Sequence, residues 1–273
     1  MISKVLIANR GEIACRIART CRAEGIAVAG VHSDADANAL HVREIGESWH
    51  IGGSAPSDSY LNMDAILQAA GDAGADAIHP GFGFLSENPE FARRVEDAGL
   101  IFIGPTPETL DRLGRKDSAK EIAGNCGIPV IAGGMHASDD PESIRAAALQ
   151  VCLPALLKAA AGGGGRGMRV VTDEAELDVA ITSAMREAEN AFGLPDLIVE
   201  QYIPNGRHIE VQIAGDGKGK VIHLHERECT LQRRHQKVIE EAPAAPMPEP
   251  IRQKILADAV KIGEALNFRN LGT

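Results

Sequence analysis

An alternation of short apolar runs with helical segments constrains the first hundred residues more than any other feature. Lys4–Ala8 is an apolar run, Glu12–Ala23 has helical spacing with Ile13 and Ile17 on one face, and Ile26–Val31 is apolar again. Further helices are predicted at Ala65–Ala73 and Pro89–Ala98, and further strands at Ala75–His79 and Leu100–Ile103. Strands joined by helices pair in parallel, so this rhythm predicts a first α/β domain of about 105 residues.

The second half has a different pattern, which predicts an α+β arrangement with antiparallel hairpins. Asp216-Gly217 is a hairpin turn signal between two of its apolar runs. Residues 226–250 carry many charges and prolines and are predicted to be rich in loops. Helices are predicted at Pro107–Leu113, Asp117–Cys126, Pro141–Val151, Glu174–Phe192 and Pro250–Leu266, and strands at Pro154–Lys158, Met168–Val171, Leu197–Tyr202, His208–Ala214 and Val221–His225. The domain boundary is expected near residues 105–130.

Composition excludes several classes of protein. The 273 residues carry a net charge of −10 and are 44% apolar, which argues against a general nucleic-acid binder and against a disordered chain. The five cysteines form no CxxC pair, so neither a disulfide framework nor a zinc site is indicated, and reduced thiols in the cytosol are expected. No run reaches the length of a membrane span or has the pattern of a signal peptide.

A glycine-rich segment at 162–167 follows a predicted strand. It is neither a Walker A loop nor a dinucleotide fingerprint, because no Lys-Ser/Thr follows and the next residues are predicted to form a strand. Its backbone amides could approach phosphates closely, and a flexible surface turn is the alternative. Lys158, just before the segment, needs an anionic partner if it points inward. Lys116 is a second candidate cation, although single lysines more often face solvent.

Two charged segments are ambiguous on sequence alone. Glu200 lies near the end of an apolar strand, where the backbone could contact an adenine edge, but an edge glutamate facing water is the simpler interpretation. The mixed charges of residues 226–241 suit either a solvated face or the binding of polyphosphate and a small oxyanion.

Together these segments resemble the biotin carboxylase component of biotin-dependent carboxylases, within the ATP-grasp superfamily. The resemblance runs in the family's order along the whole chain, and as a set it is highly specific. It is carried by KVLIANRGEIACRI at 4–17, SYLNMDAI at 59–66, AIHPGFGFLSENPEFA at 77–92, FIGPTPETL at 102–110, KAAAGGGGRGMRVV at 158–171, RHIEVQI at 207–213 and ERECTLQRRHQKVIEEAPA at 226–244.

The resemblance implies three domains and one reaction. A Rossmann-like preATP-grasp domain would span 1–110, linker helices and an ATP-grasp lid 111–203, and the start of the large ATP-grasp domain 204–273. The reaction would be carboxylation of biotin by bicarbonate, driven by ATP with Mg²⁺ or Mn²⁺ and passing through carboxyphosphate. Partners would be a biotin carboxyl carrier and a carboxyltransferase, with a homodimer in the intact enzyme, located in the cytoplasm or, in a eukaryote, the mitochondrial matrix. Neither nucleic acid nor a membrane is expected as a partner.

The resemblance also implies roles for individual residues. Phosphoryl transfer depends on positioning and charge neutralisation, which suits lysines and a glycine flap. Lys237 would bind bicarbonate. The nucleotide would be bound by phosphate lysines, flap glycines, an adenine hinge and further contacts: Lys116, Lys158, Gly164, Gly165, Glu200, Gln201, Tyr202, Ile203, His208, Gln232 and His235.

Two departures from the family pattern bear on activity. Ala160-Ala161 stands where many relatives have Ser-Gly, which would stiffen the flap. The family's metal glutamates, catalytic arginine and base would lie beyond Thr273, so we expect a truncated enzyme whose 273 residues bind no metal and do not turn over. Two alternatives remain: another ATP-grasp ligase such as a carbamoyl-phosphate synthetase half, and a nucleotide-binding fragment without chemistry. A dinucleotide oxidoreductase is disfavoured, because NRGEIA replaces the glycine fingerprint after the first strand.

Overall fold

The structure is a computed structural model that describes residues 2–114, 116–133, 137–160, 168–233 and 236–273. The chain divides into two compact units, Met1–Asp111 and Arg112–Thr273. All five cysteines are free thiols. Among the described residues, no helix combines the length and the apolarity needed to cross a bilayer.

The first unit is built on a five-stranded parallel sheet, as the strand and helix rhythm predicts. The strand order β3-β2-β1-β4-β5 reverses direction between β1 and β4, which is the topology of a doubly wound α/β fold. The strands are β1 (Lys4–Ile7), β2 (Ala27–His32), β3 (Ser48–His50), β4 (Ala77–His79) and β5 (Ile101–Phe102), and the helices are α1 (Gly11–Ala23), α2 (Leu40–Ile45), α3 (Met63–Asp72), α4 (Pro89–Asp97) and α5 (Pro107–Leu113), the last of which spans the division between the units.

Both faces of this sheet are covered, which explains why its strands are apolar without alternation. Val5 and Ile7 of β1 pack into a core with α1, whereas Leu6 and the adjoining Ala8 point into the opposite core with α3 and α4. Successive side chains of a strand alternate between faces, so a strand covered on both sides needs apolar residues at every position.

The loops after β1 and β4 meet where the strand order reverses. The Asn9 side-chain amide donates hydrogen bonds to the carbonyl oxygens of Pro80 and Phe82, at 2.7 and 2.8 Å. Gly81 has a positive φ of 67°, and a Cβ there would lie 2.7 Å from Asn9 Nδ2. Glycine at position 81 therefore leaves room for the Asn9 amide to join the two loops by hydrogen bonds.

The second unit contains two antiparallel three-stranded sheets and a short hairpin, which confirms the predicted change to α+β. The sheet orders are β7-β6-β8 and β10-β9-β13, and β11 pairs with β12. The strands are β6 (Ala155–Ala159), β7 (Arg169–Val171), β8 (Leu197–Gln201), β9 (Ile209–Asp216), β10 (Val221–Glu228), β11 (Gln232–Arg233), β12 (Gln236–Lys237) and β13 (Arg269–Gly272), and the helices are α6 (Lys116–Asn125), α7 (Pro141–Gln150), α8 (Leu177–Phe192) and α9 (Glu249–Ala265).

The sheet of β6, β7 and β8 is held on its open side by the segment before α7. Gly133 forms an isolated bridge with Glu200, and the N–H of Gln201 donates to the Ala132 carbonyl at 2.8 Å. A Cβ on Gly133 would lie 2.3 Å from the Val199 carbonyl oxygen, so the backbones approach this closely only because residue 133 is glycine.

The predicted strand ending at His225 instead continues to Glu228, and the 226–250 segment is more ordered than predicted. A register shift between His223 and Glu226 carries the strand on, and the Glu226 side chain is fully buried beside Arg252 of α9, at 3.5 Å. A buried charge requires such a partner, and the pairing fastens β10 to α9. The sequence pattern also missed β13, which pairs with β9 from a distant part of the chain.

We expect Gly215→Ala to destabilise the second unit, because the new Cβ would lie 1.9 Å from the Phe268 carbonyl oxygen. Overpacking against backbone costs at least as much as overpacking a core, so unfolding should become easier by about 3 kcal/mol or more. Urea unfolding followed by far-UV circular dichroism measures the change. The matched control is Gly124→Ala in α6, where a Cβ has open space, and it should add about 0.5–1 kcal/mol. Equal stability of the two variants would contradict the argument.

Candidate functional site

A buried carboxylate contacted by two lysines forms the centre of the first group of site residues. Glu200 on β8 is only 8% exposed in its side chain, and Lys158 on the neighbouring strand β6 hydrogen-bonds to its Oε2. Lys120 of α6 reaches the other oxygen, with Nζ 3.2 Å from Oε1. Burial alone would raise the pKa of Glu200, but the two lysines outweigh it and hold that pKa below its usual value.

This arrangement corrects the simpler interpretation of Glu200 as an edge residue facing water. Strand β8 is an edge strand of its sheet, but the approach of Gly133 and the two lysines cover the side chain. Lys158 has the inward anionic partner that its apolar surroundings require. Lys120 was missed by sequence reasoning, and its only signal was its position one helical turn after Lys116.

The backbone after Glu200 offers one donor to a ligand. The N–H groups of Gln201 and Tyr202 are used within the fold, donating to Ala132 and Pro154 at 2.8 and 3.0 Å. The N–H of Ile203 has no hydrogen-bond partner among the described residues, and its side chain is exposed. Ile203 is thus the N–H in this hinge that remains available to an acceptor.

A second carboxylate, that of Glu210 on β9, has a side chain that is 9% exposed and also contacts two cations. Lys237 of β12 pairs with its Oε2, and Arg227 of β10 donates from Nε to its Oε1 at 2.7 Å. Burial would raise the pKa of Glu210, but Lys237 and Arg227 hold it below its usual value, and the same carboxylate raises the pKa of Lys237. The alternative of a solvated face for residues 226–241 is therefore wrong for Glu226, which is buried, and Arg227 is only partly exposed, whereas Lys237 is exposed.

His208 and Gln232, both predicted as nucleotide contacts, lie together. The Gln232 amide is 3.0 Å from His208 Nδ1 and donates to the Cys229 carbonyl at 2.8 Å. With Nδ1 accepting, neutral His208 carries its proton on Nε2. His208, Glu210 and Lys237 also line one groove of about 970 Å³. The groove brings a histidine, a carboxylate and a lysine to a common surface bordered by the apolar residues of α9.

Four predicted site residues cannot be placed. The side chain of Lys116, and the residues Gly164, Gly165 and His235, lie outside the described residues. They remain predictions from the family resemblance.

The described residues do not fit a magnesium site. Glu210, Cys229 and Glu240 place their ligand atoms within 4.8 Å of one another, but one of these atoms is a thiol sulfur. Mg²⁺ requires oxygen ligands, and Glu210 is already engaged by Lys237 and Arg227.

The first unit contains an ion pair between exposed Arg10 and buried Asp36 at the carboxyl edge of its sheet. Arg10, which follows β1, donates from Nε and Nη2 to the two oxygens of Asp36, at 2.6 and 2.5 Å. The Tyr60 hydroxyl donates to the same carboxylate at 2.7 Å. The hydrogen bond from Arg10 is the main cause that lowers the pKa of Asp36 to about 2, and burial, followed by Asp36, raises that of Tyr60 to about 12.

Two family models match the chain, and the boundary between them falls close to the boundary between the two compact units. Residues 1–110 match the family model described as "Biotin carboxylase, N-terminal domain". Residues 115–273 match the model described as "Carbamoyl-phosphate synthase L chain, ATP binding domain".

Individual relatives share both sequence and fold with the chain. The biotin carboxylase of Halalkalibacterium halodurans is 48% identical over 273 residues, covering 100% of the chain and 60% of that protein. The Campylobacter jejuni biotin carboxylase, solved with β,γ-ATP, superposes with a TM-score of 0.96 at 45% identity, covering 99% of the chain and 61% of that structure. The biotin carboxylase domain of Hydrogenobacter thermophilus 2-oxoglutarate carboxylase, a dimer solved with MgADP, ADP and bicarbonate, gives a TM-score of 0.95 at 42% identity, covering 99% and 60%. The chain thus spans about 60% of the length of these relatives.

Asp36 should make the stability of the first unit dependent on acid. Its folded pKa is below the unfolded one, so its contribution is present above pH 4 and is lost as the pH falls through about 2. The loss amounts to about 2 kcal/mol. Guanidinium unfolding followed by the fluorescence of Trp49, the single tryptophan, measures it.

The variants isolate this contribution. Asp36→Asn should be less stable at pH 7 and should lose less stability than the wild type between pH 4 and 2. Asp34→Asn is the matched control two residues away, because Asp34 is exposed and contacts His50, and it should keep the acid dependence of the wild type. An unchanged acid profile in Asp36→Asn would refute the assignment.

Proposed function

This chain belongs to the biotin carboxylase family, and from that premise we propose that it supplies the nucleotide-binding and bicarbonate-binding residues of an enzyme that carboxylates biotin at the expense of ATP. Bicarbonate oxygen attacks the γ-phosphorus of ATP and displaces ADP, giving carboxyphosphate. The C–O bond to phosphate then breaks and releases CO₂ and phosphate. The released phosphate accepts the proton of the biotin ureido nitrogen, which forms the N–C bond to CO₂.

The observation that carries the proposal is the position of Lys158. It lies on β6, which leads directly towards the glycine-rich segment, and its ammonium is held by Glu200 three residues before the unpartnered N–H of Ile203. Lys158 pairs in register with Ile198, and its ammonium reaches along β8 to Glu200, near the end of the strand that Ile203 follows. We take this cation and this N–H donor to serve the phosphate and the adenine of one nucleotide. We assign Lys158 to the phosphates and Ile203 N–H to the adenine edge, with Lys116, Gly164 and Gly165 completing the phosphate contacts.

The groove around Lys237 suits the second substrate. We assign bicarbonate to Lys237, because a small anion can take the place of Glu210 at a lysine whose side chain is 36% exposed. His208 and Gln232 are assigned to nucleotide contacts at the same face, and His235 is assigned to a further nucleotide contact on the family resemblance alone.

The remaining components follow from the family. The nucleotide substrate would be ATP with Mg²⁺ or Mn²⁺, and the acceptor would be biotin on a carrier protein or domain. A carboxyltransferase and a second copy of the enzyme would be the other partners, in the cytoplasm or, in a eukaryote, the mitochondrial matrix.

A second function is favoured by one observation, since the matched ATP-binding model takes its description from carbamoyl-phosphate synthase. The match of residues 1–110 to a biotin carboxylase domain favours biotin as the acceptor. Incubation of the protein that carries this chain with ATP, labelled bicarbonate and either biotin or ammonia decides between them. Labelled carboxybiotin supports the proposal, and labelled carbamoyl phosphate contradicts it.

Lys158→Met should weaken ATP binding by this chain at least tenfold. A hydrogen bond to a charged group contributes about 1.5–3 kcal/mol, and methionine keeps the shape while removing the charge. Isothermal titration calorimetry with ATP measures the dissociation constant. Lys218→Met is the control, because Lys218 lies in the exposed turn after β9. The affinity of this variant for ATP should stay within about twofold of the wild-type value. Equal weakening of both variants would mean that only net charge matters.

A further inference from the structure

Glu200 has more positive charge around it than it needs. One carboxylate contacts the ammonium groups of Lys158 and Lys120, which leaves the three side chains with a net charge of +1. All three are largely buried, and Lys120 is only 11% exposed. Burying a lysine beyond the one that neutralises the carboxylate is unfavourable. A second buried cation at Glu200 is therefore expected to have a function.

The proposed role of Lys158 supplies that reason. To bind phosphate, the Lys158 ammonium must leave Glu200 at least in part. If Lys158 were the only partner of Glu200, its departure would strand a buried carboxylate, a penalty that would weaken nucleotide binding about a hundredfold or more.

Lys120 is placed to prevent this penalty. It lies on α6, whereas Lys158 lies on β6, and it contacts Oε1 while Lys158 contacts Oε2, so either lysine can move without displacing the other. Although it lies 3.2 Å from Oε1, Lys120 Nζ makes no well-aligned hydrogen bond to any residue that the structure describes. Its donors are thus free to take over the carboxylate.

We propose that Lys120 is a positioning residue that keeps Glu200 neutralised when Lys158 turns to the phosphates of the nucleotide. The exchange rests on the proposed function only for its second half, the contact of Lys158 with phosphate. Its first half, that either lysine alone suffices for Glu200, concerns the ligand-free protein and is tested without nucleotide.

The ligand-free test is a double-mutant cycle on thermal stability. Lys120→Met and Lys158→Met should each lower the melting temperature by less than about 3 °C, because the other lysine remains. The double variant should lose about 10 °C or more, well beyond the sum, since Glu200 is then buried without a cation. Adding Glu200→Gln to the double variant should restore most of the loss. Additive effects of the two lysine substitutions would overturn the proposal.

The nucleotide test is calorimetric titration with ATP. Lys120→Met should raise the dissociation constant about tenfold or more, and Lys120→Arg, which keeps the cation, should stay within about threefold of the wild type. In a Glu200→Gln background, Lys120→Met should have no further effect, because no carboxylate remains to be stranded. An equal loss in both backgrounds would show that Lys120 contacts the nucleotide directly and would overturn the positioning role.

The two tests separate this proposal from the proposed function. If the wild type binds no ATP but the stability cycle is non-additive, the nucleotide function fails and the shared neutralisation of Glu200 stands. If the wild type binds ATP and the stability cycle is additive, the function stands and the role of Lys120 fails.

Discussion

A buried carboxylate must be neutralised, and the second unit depends on this requirement at two places. Glu200 and Glu210 are each largely buried and each contacted by two cations. At Glu200 the two lysines leave a surplus of one positive charge, whereas at Glu210 the carboxylate of Glu240, 4.0 Å from Arg227, balances the second cation. The net charge of −10 describes the whole chain, and a local group such as the Glu200 cluster can still carry the opposite sign.

The backbone around β8 fixes the position of the Glu200 carboxylate. Glu200 lies on β8 between the paired backbone of β6 and the close approach of Gly133, so its backbone is fixed on both sides and its side chain lies against Lys158 and Lys120. At the end of this strand the N–H groups of Gln201 and Tyr202 bond within the fold, whereas that of Ile203 has no partner in the part of the chain that the structure describes. The geometry of a short edge strand thus fixes both the charged and the neutral contacts of the hinge.

The sequence predicted the architecture well and the site only in part. Local patterns sufficed for four of the five strands of the parallel sheet, for the change to antiparallel hairpins and for the turn at Gly217, because each depends on adjacent residues, but they missed β3. They failed where the outcome depends on distant partners: Glu200 was expected to face water, and β10 was expected to end at His225. Lys120 and Arg227 were missed as well, because the sequence around a single cationic residue does not indicate which distant carboxylate will contact it in the fold.

The two clusters differ in how firmly the second cation is held. Arg227 donates to Glu210 and also to Gln212 at 3.0 Å and Thr273 at 3.3 Å, so its planar guanidinium is fixed on several acceptors. Lys237, on a two-residue strand and more exposed, has no such additional ties among the described residues. The geometry therefore makes Lys237 the member that can turn to an incoming anion while Arg227 keeps Glu210 paired. At Glu200 both cations are lysines, so their positions in the fold rather than their side-chain types distinguish Lys158 on β6 from Lys120 on α6.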